Sequence, residues 1–209
     1  MQTFRKIDDA QGDMVVDFLC KYIYPQIYDT AAIKNTAYDT QIKGIDIILP
    51  DGNHDVKAQL KQYINNPTPT FSLEIIGKSI NYPGWFINPQ SLTDFYDLVW
   101  INDADITGFG FDTRLISLDG IHDLEVAVVP KKRLYTYFSQ MGISSRELLD
   151  TARSMRQLGI KETYVKQFKL VQSINYAEQP VNLILRKNIH IELSKFYIRY
   201  NNGILTVNE

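Results

Sequence analysis

Asp46, Asp55 and Lys57 fall within one short stretch, GIDIILPDGNHDVKAQ, running from Gly44 to Gln59. Asp51-Gly52 between two alternating apolar runs is a hairpin signal, because glycine supplies the positive φ that a tight turn needs. A turn centred on Asp51 and Gly52 sets Ile47 opposite Val56, Ile45 opposite Ala58, Leu49 opposite His54 and Asp46 opposite Lys57. Side chains alternate along a strand, so one face is mostly apolar. The other carries Asp46, Ile48, Asp55, Lys57 and Gln59, with the two aspartates on a diagonal close enough to share a ligand. Paired carboxylates suit a hard divalent cation such as Mg2+ or Mn2+, which takes one or two carboxylates together with water and substrate phosphate. An ammonium group beside them would stabilise an attacking hydroxide or the charge that grows on an attacked phosphate, which is the chemistry of phosphodiester hydrolysis. The same residues also fit a plain solvent face of a sheet, where opposite charges pair for roughly 0 to 1 kcal/mol.

Asp46, followed by Asp55-Val56-Lys57 on the next strand and preceded by an N-terminal helix, resembles the PD-(D/E)xK nuclease superfamily. The resemblance implies an α/β (α+β) fold: a restriction-endonuclease-like core, a mixed sheet flanked by helices, with extra antiparallel strands. It implies that Asp46 matches the first aspartate, Asp55 the acid of the second half-motif and Lys57 its lysine. Gln59 matches the polar residue that several members carry two positions further on. Gly44 and Ile45 stand where the family often has proline. The implied cofactor is Mg2+ or Mn2+, the implied partner is nucleic acid, DNA first, and a homodimer is left open. Restriction, repair, recombination and mobile-element biology are all compatible.

Members of the superfamily usually add an acid from the first helix, and two are available one turn apart, Asp13 and Asp17. Asp17 sits among apolar neighbours and is the preferred metal ligand, whereas Asp13 is an acid well placed in a first helical turn. Glu74, in PTPTFSLEIIG, is a further metal candidate if that strand joins the hairpin with its apolar face toward the same core; otherwise it is a solvated edge residue. Asp39 and Gln41 could line the mouth of the cleft.

Several elements must position these groups. A helix is expected from about Asp8 to Gly12 onward, with Val15, Val16, Leu19, Tyr22 and Ile23 as its apolar stripe. FYDLVWIND and LEVAVVP read as strands, and KKRLYTYFSQMG as a helix with a basic beginning. Ser144 and Glu147 form a capping box for a helix ending near Gly159. ETYVKQFKLVQ alternates as one run, PVNLILRK follows as a strand, and NIHIELSKFYIRY is open between helix and strand. Trp85 and Trp100 read as core or rim aromatics, and Gly108-Phe109-Gly110 as a turn. His54, His122 and His190 show no paired-ligand spacing and read as structural or surface residues.

A chain of 209 residues with 44% hydrophobic content and no Pro/Gly/Ser-rich linker is expected to be one domain, 1–209, with a core over about 10–130 and additions over 131–209. No apolar run approaches the roughly 20 residues needed to span a bilayer. No secretory signal is visible either, so the protein is expected in the cytoplasm without a membrane partner. Cys20 is the single cysteine, which excludes an internal disulfide and a multi-cysteine zinc site. The net charge of −2 does not advertise a nucleic-acid binder. Bases are nevertheless concentrated late in the chain, from Lys131, Lys132 and Arg133 to Lys166 and Lys169, where they form either a basic wall or solvated faces. Two functions therefore stand: a metal-dependent nuclease, and a non-catalytic member of the same fold that binds DNA or protein.

Overall fold

The apolar stripe at three- and four-residue spacing produces a helix that starts earlier than expected, α1 (Gln2–Phe18), and buries Val15, Val16 and Phe18. It widens into a π-type turn over Leu19–Ile23 before α2 (Tyr24–Tyr28). Pro25 supplies the reason, since it has no N–H and its ring crowds the carbonyl four residues back. The Tyr24 amide accordingly reaches Leu19 O, one residue further than an α-helix requires. The structure is a computed structural model that describes residues 2–77, 79–174 and 179–209, with the side chains of 2–9 outside the description.

The elements that follow are β1 (Ile33–Lys34), α3 (Tyr38–Gln41), β2 (Ile47–Leu49), β3 (Gly52–Ala58), β4 (Thr70–Ile76), β5 (Phe95–Ala104), β6 (Ile106–Thr107) and β7 (Arg114–Leu115). Then come β8 (Ile121–Pro130), α4 (Lys131–Gln140), α5 (Ser145–Leu158), β9 (Glu162–Val165), β10 (Phe168–Gln172), β11 (Val181–Arg186), α6 (Lys187–Leu193), β12 (Phe196–Asn201) and β13 (Ile204–Asn208). The architecture is mixed α/β. The chain divides into two compact units, each drawn from separate stretches: 1–68, 92–131 and 191–209 in the first, 69–91 and 132–190 in the second.

The first unit is built on a seven-stranded mixed sheet in the order β1-β2-β3-β5-β8-β12-β13. Its pairings are antiparallel except β3 with β5, which run parallel. One face packs under α1 and the π turn, where Ile47, Val56, Val99, Ile101, Val126, Val128 and Ile198 meet Val15, Leu19 and Ile23.

The β2–β3 hairpin forms, but two residues off the expected register. Its turn is Pro50-Asp51, and Ile47 pairs with His54, Ile48 with Asn53 and Leu49 with Gly52. Gly52, at φ +145°, enters the strand instead of the loop. A slip of two preserves which side chains share a face, where a slip of one would have exchanged the faces. The polar face thus survives, and Asp46 moves from a diagonal to a place level with Asp55.

In the second unit an antiparallel sheet, β4-β11-β10-β9, carries α5. Ser144 caps that helix, its Oγ accepting from the Glu147 amide at 3.1 Å, and Gly159 ends it in the left-handed region. Leu148, Ala152 and Met155 are buried with Leu73, Leu170 and Leu183. Two matters that the sequence leaves open are decided in this unit. β4 joins β11 and not the β2–β3 hairpin, because its alternating face is satisfied by this second sheet. ETYVKQFKLVQ is two strands, β9 and β10, joined at Lys166-Gln167. Lys166 takes a left-handed φ of +52° there without the glycine or asparagine that usually marks such a turn. The segment left open resolves into α6 followed by the β12–β13 hairpin. No helix among the described residues is long and apolar enough to cross a membrane.

Candidate functional site

Asp46 lies immediately before β2, and its backbone is fixed on both sides. The Asp46 amide donates to His54 O at 2.8 Å and its carbonyl accepts from the Asn35 amide at 2.8 Å. The Asp46 carboxylate accepts from the Val56 amide at 2.8 Å, so it stands beside β3 instead of reaching into solvent. One step along the ladder from Ile47 and His54, Asp55 sits level with it. The Asp55 side chain is 2% exposed and takes the ammonium of Lys57 on Oδ1, while the Lys57 side chain is 28% exposed. Asp46, Asp55 and Lys57 are therefore assembled on one face by three adjacent facts of backbone geometry: hairpin register, strand alternation and a side-chain bond to the ladder.

Burial, opposed by Lys57 and reinforced by the nearby Asp55 charge, pushes the Asp46 carboxyl up to about 7. The Asp55 side chain is close enough to hydrogen-bond with it. Two acids this close, largely withdrawn from water, cannot both ionise cheaply. A divalent cation would remove that penalty, and two hard carboxylate oxygens are suitable donors for Mg2+. Among the described residues no group of three or more His, Cys, Asp or Glu is arranged to hold a metal ion. Within this site the carboxylate oxygens that could face such a cation are those of Asp46 and Asp55.

The loop before Asp46 carries residues that the sequence did not single out. Gly44 has a φ of +79°, and a β-carbon there would press on Thr93 Oγ1 and come within 3.2 Å of Asp55 Oδ2. The Thr93 hydroxyl donates to Gly44 O at 2.7 Å. Asn35, 8% exposed, ties the same loop together by donating from Nδ2 to Ile45 O at 2.6 Å and to Thr40 Oγ1 at 2.8 Å. A left-handed glycine and a buried asparagine thereby set the approach of the chain to Asp46. Sequence alone offered only the glycine, at a position where proline was expected.

The remaining candidates lie elsewhere. Gln59 is on the Lys57 face, but its amide is spanned by Thr68, which accepts from Nε2 at 2.9 Å and donates its own amide to Oε1 at 2.8 Å. It fastens a loop. Asp17 holds Lys34 of β1 at 2.8 Å, with Asp13 at 3.4 Å from the same ammonium. α1 packs on the apolar face of the sheet, whereas Asp46 and Asp55 occupy the other, and the charges that act on Asp46 are those of Lys57 and Asp55. Glu74 belongs to β4, in the second sheet, with Asn182 as its register partner and its carboxylate lying over Gly77. Gln41 donates to Asn35 O at 2.9 Å, and Asp39 lies in the first turn of α3.

On the apolar face, directly behind Asp55 on β3, a buried polar network appears. His54 Nδ1 contacts Asp97 at 2.9 Å and Nε2 contacts Asp51 at 3.1 Å. Asp51 also accepts from Tyr28 at 2.6 Å and Lys195 at 2.9 Å, and the His54 ring stacks on Phe95. Burial alone would lower the His54 pKa, but the Asp97 and Asp51 carboxylates override it and raise it to about 9. Of the two roles the sequence left open for it, structural or surface, His54 takes the buried one, held between two carboxylates. In the second unit, a separate hollow of about 410 Å³ is lined by Phe86, Tyr135, Phe138, Ile143 and Leu148 among others and contains none of the candidate residues.

No family model matches this chain, and comparison with curated proteins and with solved structures also found no match.

Proposed function

We propose that the protein is a metal-dependent phosphodiesterase of the PD-(D/E)xK type, built on a restriction-endonuclease-like core and acting on DNA with Mg2+ or Mn2+. The observation that carries this reading is the placement of the Asp46 and Asp55 carboxylates side by side with the Lys57 ammonium against them, on one face of a hairpin that feeds a parallel strand. Asp46 and Asp55 would hold the cation, and when bound it would supply Lewis acidity at the scissile phosphate. Lys57 orients the attacking water and offsets the negative charge that develops as the phosphorus is attacked. Gly44, lacking a side chain, leaves room for the Asp55 carboxylate, and Thr93 keeps Gly44 in place.

The test is cleavage of supercoiled plasmid, single-stranded DNA and RNA with Mg2+ and with Mn2+. Wild type should cut DNA, and Asp46→Asn, Asp55→Asn and Lys57→Ala should each lose the activity while unfolding cooperatively. Cleavage retained in both aspartate variants would remove these residues from the chemistry. The second reading, a non-catalytic DNA-binding or protein-interaction module, draws on the Asp55–Lys57 ion pair, which already neutralises one acid without a metal. It requires that no divalent cation bind the pair, which calorimetric titration with Mg2+ or Mn2+ decides.

A further inference from the structure

The hollow of the second unit has the size and the walls of a small-molecule site. Its volume of about 410 Å³ lies within the range that holds small ligands, and it is lined by α4, the loop after it, the first turn of α5 and Phe86. Phe86, Phe138, Ile143 and Leu148 are buried beneath it. Phe86 and Tyr135 stack with ring centroids 5.3 Å apart and planes 10° from parallel, and Phe138 meets Phe86 edge-on at 5.7 Å. The Tyr135 hydroxyl donates to Phe86 O at 2.6 Å, which fixes the stack before any ligand arrives. Fixed aromatic walls of this kind favour a flat ring. Ser139 and Ser145 stand exposed at the rim.

Charge says what else the ligand carries. Lys166, in the β9–β10 turn, donates to Met141 O at 2.8 Å and to Gly142 O at 2.7 Å, so its ammonium is held against a residue of the wall. Both partners are neutral carbonyls. Among the described residues no carboxylate pairs with this ammonium, which has a third N–H to give. The side chain is exposed, and its backbone takes the left-handed φ of +52°, a conformation kept at a non-glycine residue only where the surroundings require it. The acids of α5 are Glu147 and Asp150, and Arg146 and Arg153 each lie 3.7 Å from Asp150. The unit as a whole is basic: residues 69–91 and 132–190 hold eleven Lys and Arg against five Asp and Glu, a net of +6, while the remainder holds eleven against nineteen, a net of −8. We propose that the hollow binds a small aromatic acid, its ring against Phe86, Tyr135 and Phe138 and its anionic group on the Lys166 ammonium. This site is independent of Asp46 and Asp55 and of the reaction assigned to them.

The experiment titrates the full chain with benzoate, indole-3-acetate and 1-naphthalenesulfonate, each beside its neutral amide or sulfonamide, and follows backbone amide shifts by NMR in wild type, Lys166→Gly, Lys166→Arg and Ser139→Trp. Glycine suits the left-handed turn, so Lys166→Gly removes the ammonium without straining the chain, and equal melting temperatures check this. The expected shifts gather at Phe86 and residues 135–148. Each acid should bind about tenfold tighter than its neutral partner, as one charge-assisted hydrogen bond allows. Lys166→Gly should abolish that preference while leaving the neutral partners unchanged, and Lys166→Arg should keep it. Ser139→Trp, which fills the mouth, should weaken both members of every pair. Acids and neutral partners bound equally by wild type, or a preference that survives in Lys166→Gly, overturns the proposal. No binding by any of the six compounds, or shifts that lie away from the hollow, overturns it as well, and neither result bears on Asp46 and Asp55.

Discussion

Replacing Asp46 by asparagine should make the metal-free protein more stable above neutral pH. In the folded chain the Asp46 carboxyl is raised to about 7, first by burial and then by Asp55, against the partial relief given by Lys57. An unfolded aspartate titrates near 3.9, so between about pH 4 and 7 the folded state holds a proton that the unfolded state has released. Stability is then full at the acid end and falls as pH rises, by about 1.4 kcal/mol per unit, to a total of about 4 kcal/mol by pH 8. Asparagine keeps an oxygen for the Val56 amide and carries no charge, so it resembles the protonated acid. Urea unfolding in EDTA, followed by tryptophan fluorescence, should show Asp46→Asn ahead of wild type by about 1.5 kcal/mol at pH 5 and by about 4 kcal/mol at pH 8. Taking the difference between the two proteins cancels other titrations they share. Mg2+ added at pH 8 should stabilise wild type and leave the variant unmoved. Equal differences at pH 5 and pH 8 would show that the two carboxylates are not held together out of water, and the reasoning about the site would fail.

Three further outcomes follow from particular contacts. His54→Asn strands Asp97 in the interior and should cost about 3 to 5 kcal/mol at pH 7, read from urea midpoints. Because the folded pKa of His54 is raised to about 9, wild type should hold its stability below about 6.5 and lose it as pH rises through 9, a decline that the variant lacks. Gly44→Ala places a side chain at a left-handed φ and against Asp55, so it should lose about 1 to 2 kcal/mol and weaken Mg2+ binding measured by calorimetry. Ser144→Ala removes the cap of α5 and should cost about 1 kcal/mol in urea while leaving Mg2+ binding unchanged.

Local signals carried the parts of the structure whose partners are near in sequence. The capping box at Ser144 and Glu147, the stripe on α1 and the Asp46, Asp55 and Lys57 face could all be read because helical and strand periods are local. The expected hairpin register was off by two residues because Pro50-Asp51 makes the turn and Gly52 enters the strand, and the face survived only because the slip was even. β4 shows where such reading stops. Its alternation announces a strand with one apolar face but says nothing about which sheet will cover it, so Glu74 was assigned on a pairing that β11 makes instead. Asp17 shows another limit: an acid among apolar neighbours reads as a ligand, while the lysine of the edge strand that stands 2.8 Å from it is invisible in the sequence. Asn35 could be placed only by seeing the loop closed.

The interleaving of the two units bears on how the chain folds as it is made. β8 gains its second neighbour only when β12 is available, Val128 pairing with Phe196 and Asp123 with Asn201, after the whole of residues 132–190 has been synthesised. On a nascent chain, the hairpin bearing Asp46 and Asp55 and the parallel strand beside it can form early, while the β8 edge waits unpaired. Pairings so distant in sequence fold slowly, and an apolar edge that waits is a template for other chains. Val126 and Val128, both fully buried in the finished sheet, would meanwhile be exposed, which makes the arrival of β12 the step that decides how long β8 stays open to other chains.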